Sequence, residues 1–266
     1  MPQLTAITPQ HFARKAWQRR SGYAFAAQAH ILPVVVAELA RLVPALPMGF
    51  VQTEASFQLV AITALQPGTN LFVAPDGRWL NNYVPAALRA YPFRLIKPED
   101  REQSILCFDE SSGRVVEAGQ GEAFFDEEGA PSQAVKEVLD FLSQIERSRL
   151  ATQTAVNALQ AAGLIQPWPL KVRQGDQIRP VEGIHRADEA ALHALSDDAF
   201  LSLRKAGALL LAYAQLLSMN QLVMLQKAAE AQTKLSDQLK AQELSQFKNL
   251  AGPGFGISDD GNLKFH

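Results

Sequence analysis

The chain has 266 residues, 47% of them hydrophobic and 20% charged, with a formal net charge of -2 and one cysteine. This is globular composition, long enough to bury a substantial core, and it excludes a largely disordered or collagen-like chain. The charge balance excludes a general basic field for nucleic acid or an anionic membrane, and the single cysteine excludes an intramolecular disulfide scaffold.

The opening segment sets Arg14, Lys15, Arg19 and Arg20 in a short amphipathic stretch with Phe12, Ala16 and Trp17. It reads as a solvated helix face with Phe12 and Trp17 tucked inward, against the alternative of a binding surface. Met1 to Ala16 carries neither the apolar run nor the small-residue cleavage site of a secretory signal, so a reducing, cytoplasmic setting is expected. Tyr23 to Glu38 is dense in apolar and β-branched residues, and Pro33 argues against one continuous helix there. Met48 to Leu65 predicts two short strands, because Phe50-Val51 and Phe57-Leu59-Ala61 follow the two-residue period of a half-buried sheet.

Leu71-Phe72-Val73, Asp76-Gly77 and Trp79-Leu80 predict a β-hairpin, since Asp-Gly supplies the positive φ of a tight turn. One or two helical turns are expected over Ala86 to Tyr91, stopped by Pro92. Strand and turn recur at Ile105 to Gly113, where Cys107 reads as a buried strand residue with no activating cation nearby in sequence. They recur again at Ala123-Phe124-Phe125 with Gly129. The likeness of Leu71 to Gly77 and Phe124 to Gly129 suggests a repeated hairpin, too short for an internal duplication. Between Lys97 and Glu137 eleven Asp and Glu stand against four Lys and Arg, which reads as a solvated acidic face.

Val135, Leu139, Leu142, Leu150, Val156 and Leu159 predict an amphipathic helix, capped by Ser132 and ended by Gly163. After Pro167-Trp168-Pro169, Leu170 to Val172 and Ile178 to Val181 around Gly175-Asp176 predict another hairpin, so the β content is expected in two parts. A second helical section runs from Asp188 to Lys227. It puts Leu192, Leu195, Phe200, Leu203, Leu209, Leu216 and Leu225 at buried positions, with Asp197-Asp198 capping a new helix. Ala228 to Phe247 has only a narrow apolar stripe at Leu235 and Leu239, so it is an exposed terminal helix or docks on a partner; the tail from Gly252 is expected to be loosely ordered. The longest apolar stretches, Ile31 to Ala37 and Gly207 to Ala214, fall short of the roughly 20 residues that cross a bilayer, and no membrane span is expected. The fold expected is α+β: an N-terminal β-rich hairpin layer packed with a helical C-terminal half, plus an extended C-terminal helix. The division expected is a main domain over 1–226 and a helical extension with tail over 227–266.

No motif announces a reaction. His11, His30, His185, His193 and His266 sit in five separate contexts without metal-ligand spacing, and no metal or cofactor is expected. Gly119-Gln120-Gly121 lacks the third glycine and following helix of a phosphate loop, and no Gly-x-Ser-x-Gly elbow occurs. No catalytic residue is assigned. Residues that converge only in space leave no such trace. Trp17, Tyr23, Phe25, Trp79, Tyr83, Tyr91 and Phe93 crowd the first hundred residues, either as the core of a small β layer or as a stacking surface. The candidate ligand or partner contacts are Trp79, Tyr83, Arg89, Tyr91 and Arg94, with Glu38 as an acidic partner.

Ser21-Gly22-Tyr23-Ala24-Phe25-Ala26, Pro33-Val34-Val35-Val36-Ala37-Glu38 and Gly68-Thr69-Asn70-Leu71-Phe72-Val73, in that order, resemble the SapC family. The likeness continues in Gly77-Arg78-Trp79, Tyr83-Val84-Pro85, Arg89-Ala90-Tyr91-Pro92-Phe93 and Gly163-Leu164-Ile165. It is most specific from Asp188 to Ser218, and the residues after Lys227 depart from it. The resemblance implies association with bacterial surface layers and with neighbours similar to flavin-dependent halogenases, cupin-type oxygenases and outer-membrane receptors; it transfers no catalytic residue. The expectation is an accessory protein that binds a partner protein, such as an oxygenase- or halogenase-like enzyme, or self-associates through the C-terminal helix, without nucleic acid. The alternatives are a small-ligand binder or enzyme with an aromatic-lined pocket, and a surface-layer component that reaches the surface without a signal peptide.

Overall fold

The structure is a computed structural model and describes residues 3–98, 103–174, 177–251, 255–257 and 263–265. The first half runs β1 (Leu4–Ala6), α1 (Pro9–Phe12), β2 (Lys15–Trp17), β3 (Ile31–Pro33), α2 (Leu39–Leu42), β4 (Met48–Gln52), β5 (Phe57–Ile62), α3 (Ala86–Arg89), β6 (Phe93–Ile96), β7 (Ile105–Asp109), β8 (Val115–Glu117), β9 (Glu122–Ala123) and α4 (Gln133–Ala161). The second half adds β10 (Ile165–Pro167), β11 (Leu170–Gln174), β12 (Gln177–Val181), β13 (Ile184–Ala187), α5 (Glu189–His193), α6 (Asp197–Lys205), α7 (Ala208–Ser218), α8 (Leu222–Ala251), β14 (Phe255–Ile257) and β15 (Leu263–Phe265). The class is α+β, as the apolar periodicities predict.

The two β parts of the sequence merge in a central five-stranded antiparallel sheet of order β10-β13-β4-β5-β3. His185 of β13 stands opposite Phe50 of β4, and Phe50 opposite Leu59 of β5. Met48, Phe50, Leu59, Val60, Ala61 and Ile62 are at most 1% exposed, so both faces of these strands are covered, which explains why β5 shows no alternation at its C-terminal end. Two three-stranded sheets, β1-β7-β6 and β8-β2-β9, enclose a separate aromatic core of Phe12, Trp17, Phe93, Phe108, Phe124, Phe125 and Val135. Its rings meet edge to face, Phe93 and Phe108 at 4.9 Å and Phe108 and Phe124 at 5.3 Å. Each buried phenylalanine contributes roughly 1.5–3 kcal/mol over an exposed one.

Helix α4 joins the two cores. Ser132 caps it by accepting from Val135 N, and Gly163 ends it at φ 68. At about 1.5 Å per residue its 29 residues span roughly 43 Å. Val135, Val138 and Leu142 serve the aromatic core, while Ala155, Val156 and Leu159 serve the central sheet.

Several expectations need correction. The basic opening is not one helix: α1 ends at Phe12 and Lys15–Trp17 is a strand between β8 and β9, although Phe12 and Trp17 are buried as expected. The repeated hairpin is real, but each copy is a loop closed by one bridge, Val73 to Trp79 and Phe125 to Pro131. The copies share a glycine at φ 83 or 81 and matching bonds, Ala74 N to Arg78 O with Asp126 N to Ala130 O, and Leu80 N to Phe72 O with Ser132 N to Phe124 O. Ser196, not Asp197-Asp198, caps α6, by accepting from Ala199 N. Phe200 is exposed. In the tail, Phe255–Ile257 and Leu263–Phe265 form an antiparallel pair, and the rest from Gly252 lies outside the described residues, as does the turn at Gly175-Asp176.

Among the described residues one helical run, Ala208–Gln238, is long and apolar enough to cross a membrane by length and composition, a feature hidden from a search for unbroken apolar stretches. Its α7 part is built into the core. The buried Gln215 amide donates to Met48 O and accepts from Ala187 N, and Ser218 Oγ accepts from Met48 N, so two strands are tied to this helix by side chains that a bilayer would leave unpaired.

Candidate functional site

A cleft of about 480 Å³ opens beside the aromatic core, bounded by the 19–23 loop, the end of α3 and the first turns of α4. Trp17, Phe93 and Val138 form apolar walls, and Arg19, Arg20, Arg89, Tyr23, Tyr91 and Glu137 supply its polar groups. The 19–23 loop is held close by Gly22. A Cβ there would lie 2.9 Å from Gly77 O, the carbonyl that accepts from Tyr23 N at 2.7 Å.

The three guanidinium groups are not equivalent. Arg19 forms a bidentate pair with Glu122, which raises its pKa chiefly through that hydrogen bond. Arg20 lies over the Tyr23 ring at 5.1 Å, donates to Arg89 O at 2.6 Å and to Tyr23 OH at 3.2 Å, and has no carboxylate partner among the described residues. Arg89 lies over Phe141 at 4.9 Å and Tyr83 at 5.7 Å. A guanidinium has five donor hydrogens, so both Arg20 and Arg89 keep donors for a further acceptor.

Arg89 also lines a smaller adjoining pocket of about 300 Å³ with Glu38, Arg41, Tyr83 and Phe141. Glu38 is 3% exposed and is the hub of this pocket. Its Oε1 accepts from Tyr83 OH at 2.8 Å and Ala86 N at 2.6 Å, and its Oε2 from Val35 N at 3.3 Å. Arg89 Nη2 donates to Tyr83 OH at 3.3 Å and stands 4.0 Å from Glu38 Oε1. Burial, then the hydrogen bond to Glu38, pushes the Tyr83 phenol up to about 12, and burial also raises Tyr91.

Of the candidate contacts, Arg89 and Tyr91 line the main cleft and Tyr83 and Arg89 the smaller pocket. Tyr91 is anchored by a stacked Phe25 ring 3.8 Å away. Trp79 lines neither; half-buried, it donates its indole N–H to Tyr83 O at 2.9 Å and supports the loop from behind. Arg94 is exposed on β6, opposite Cys107 in the strand register, and lines neither. Burial raises the Cys107 thiol pKa, the reverse of activation. His185 packs edge-on against Phe57 at 4.9 Å, while His193 is exposed at the end of α5.

Arg20 and Tyr23 entered the sequence reading as members of the basic stretch and of the aromatic set, and Glu137 and Phe141 were not singled out. Arg20 and Tyr23 were visible as a cation three residues from an aromatic, but Glu137 and Phe141 lie on α4, far along the chain, and only the fold brings them in. Trp17 adds one more feature: its buried indole N–H has no hydrogen-bond partner among the described residues.

Fold and cleft together define an α+β protein with a basic, aromatic-walled cleft and no metal-holding cluster of His, Cys, Asp or Glu among the described residues. Residues 7–225 match the family model described as SapC, and the chain belongs to that family. No curated protein and no solved structure matches the chain.

Proposed function

We propose that this SapC-family protein binds a small anionic ligand with an apolar or aromatic body in the cleft between Arg20 and Arg89. The observation that carries this reading is the pair of guanidinium groups with spare donors facing one apolar-walled cleft, whose lining among the described residues holds one carboxylate, Glu137. The volume suits a small molecule, since ligand pockets run from about 300 to 1,000 Å³. Arg89 is held in place before any ligand arrives by Tyr83 and Glu38, which reduces the ordering cost of binding.

Calorimetric titration with indole-3-carboxylate, the matching uncharged alcohol and inorganic phosphate tests this. The carboxylate binds, the alcohol does not, and Arg20→Ala or Arg89→Ala each weakens binding about 10- to 100-fold, the worth of a hydrogen bond to a charged group. Equal binding of the alcohol, no binding of any probe, or affinity unchanged in both variants overturns the reading.

A second reading, an accessory protein that binds an oxygenase- or halogenase-like enzyme, is favoured by the exposed row Leu210, Tyr213 and Leu217 on α7. The body carrying these residues corresponds to 1–226, a division supported by the family match ending at 225, although α8 runs unbroken through that point. Co-purification of such an enzyme with the tagged chain, lost in Leu210→Asp/Leu217→Asp, is the expected result.

A further inference from the structure

Helix α6 carries an exposed stripe that complements itself. On a 3.6-residue helix, positions 197, 200, 201 and 204 share one side, away from the buried Leu203. They are Asp197, Phe200, Leu201 and Arg204, all exposed, with an acid at one end, a base at the other and two large apolar side chains between. The neighbouring exposed Asp198 and Lys205 repeat the polarity. None of these four charged residues makes an ion pair among the described residues.

We propose that the α6–α7 hairpin is a homodimer interface in which α6 lies antiparallel on α6 of a second copy. Antiparallel crossing about a two-fold axis places Asp197 of each copy against Arg204 of the other and brings the Phe200-Leu201 pairs together at the centre. The acid and base are seven residues apart, about 10 Å along the axis, so the two ion pairs flank the apolar contact instead of interrupting it. An unrelated partner would not require the stripe to match its own reverse. The adjoining α7, entered through Gly207 at φ 71, exposes Leu210 and Leu217 by 66% and 59%, further apolar surface on the same hairpin. This inference is independent of the ligand cleft.

Sedimentation velocity of the full chain over a concentration series tests it. The chain dimerises reversibly; Asp197→Arg and Arg204→Asp each raise the dissociation constant about tenfold or more, because each sets like charges together. The double variant Asp197→Arg/Arg204→Asp returns to near the original value. Both single changes oppose the helix dipole, and the double carries both penalties, so recovery reports the contact between copies and not helix stability. Circular dichroism of each variant confirms that it is folded. A chain monomeric at every concentration overturns the proposal, as does a double variant no tighter than the singles. So does a dimer indifferent to all three variants and lost on truncation after Lys227.

Discussion

The phenol oxygen of Tyr83 lies 2.8 Å from Glu38 Oε1 and 3.3 Å from Arg89 Nη2, donating to a buried carboxylate while accepting from a guanidinium of the cleft. One hydroxyl therefore connects a structural hub to the wall of the cleft proposed to take a ligand. The two roles are separable, because Glu38 is buried and Arg89 is exposed.

Removing the hub should cost stability. Glu38→Ala leaves Val35 N, Ala86 N and Tyr83 OH without their acceptor, and buried donors left unpaired cost about 1–3 kcal/mol each before relaxation. The expected loss in urea unfolding is about 3–5 kcal/mol. Glu38→Gln keeps one carbonyl oxygen as an acceptor and loses about 1–2 kcal/mol. Equal losses for Ala and Gln would show that the carboxylate oxygens are not what the three donors need.

Tyr83 gives this region an alkaline signature. Its pKa is raised from 10.0 to about 12, first by burial and then by Glu38, so the folded chain holds the proton more tightly than the unfolded chain. The stability linked to that proton is full below pH 10 and is lost as pH rises from there through about 12. Ultraviolet titration should show a phenol ionising near pH 12 that is absent in Tyr83→Phe, and the variant's stability should fall less steeply over that window. A wild-type titration without a phenol in that range contradicts the assignment.

What could be read in the sequence was whatever local periodicity or turn chemistry encodes. The spacing from Val135 to Leu159 with Ser132 and Gly163 defined α4, and Asp76-Gly77 defined a tight turn whose glycine has φ 83. The merged central sheet was not legible, because the pairing of Ile184 with Val51 depends on chain closure across more than a hundred residues, which leaves no local mark. The site divided the same way. Arg89 and Tyr91 were found because they sit among aromatics, and Glu38 because it is an acid in an apolar run. Phe141 and Glu137 looked like ordinary helix residues. Trp79 and Arg94 met the same compositional test as Arg89 and lie outside the cleft, since aromatic density does not distinguish a wall from its backing.

Gly22 is a tight backbone constraint on the loop that bounds the cleft. A methyl there meets Gly77 O at 2.9 Å, and that carbonyl is tied to Tyr23 N, so neither loop can give way without breaking the bond between them. Gly22→Ala should cost about 1–3 kcal/mol by overpacking and weaken ligand binding by moving Arg20 and Tyr23. Thermal unfolding and the calorimetric titration read the two effects separately. An alanine variant with unchanged melting temperature and affinity would show that the loop has slack.

Gln215 tests why α7 belongs to the core. Its amide bridges Met48 O at 3.0 Å and Ala187 N at 2.8 Å, so one fully buried side chain fastens α7 to β4 and to the end of β13. Gln215→Leu keeps the volume close and adds apolar surface, yet leaves a strand carbonyl and a strand amide buried without partners. The unpaired groups outweigh the gain, because each costs about 1–3 kcal/mol while the leucine adds at most about 2. A net loss of about 2–4 kcal/mol in urea unfolding is expected for Gln215→Leu, and Gln215→Glu should destabilise as well, because a carboxylate accepts from Ala187 N but cannot donate to Met48 O and would be a buried charge. If leucine stabilised the chain, the bridge would be dispensable and packing alone would hold α7 on the sheet.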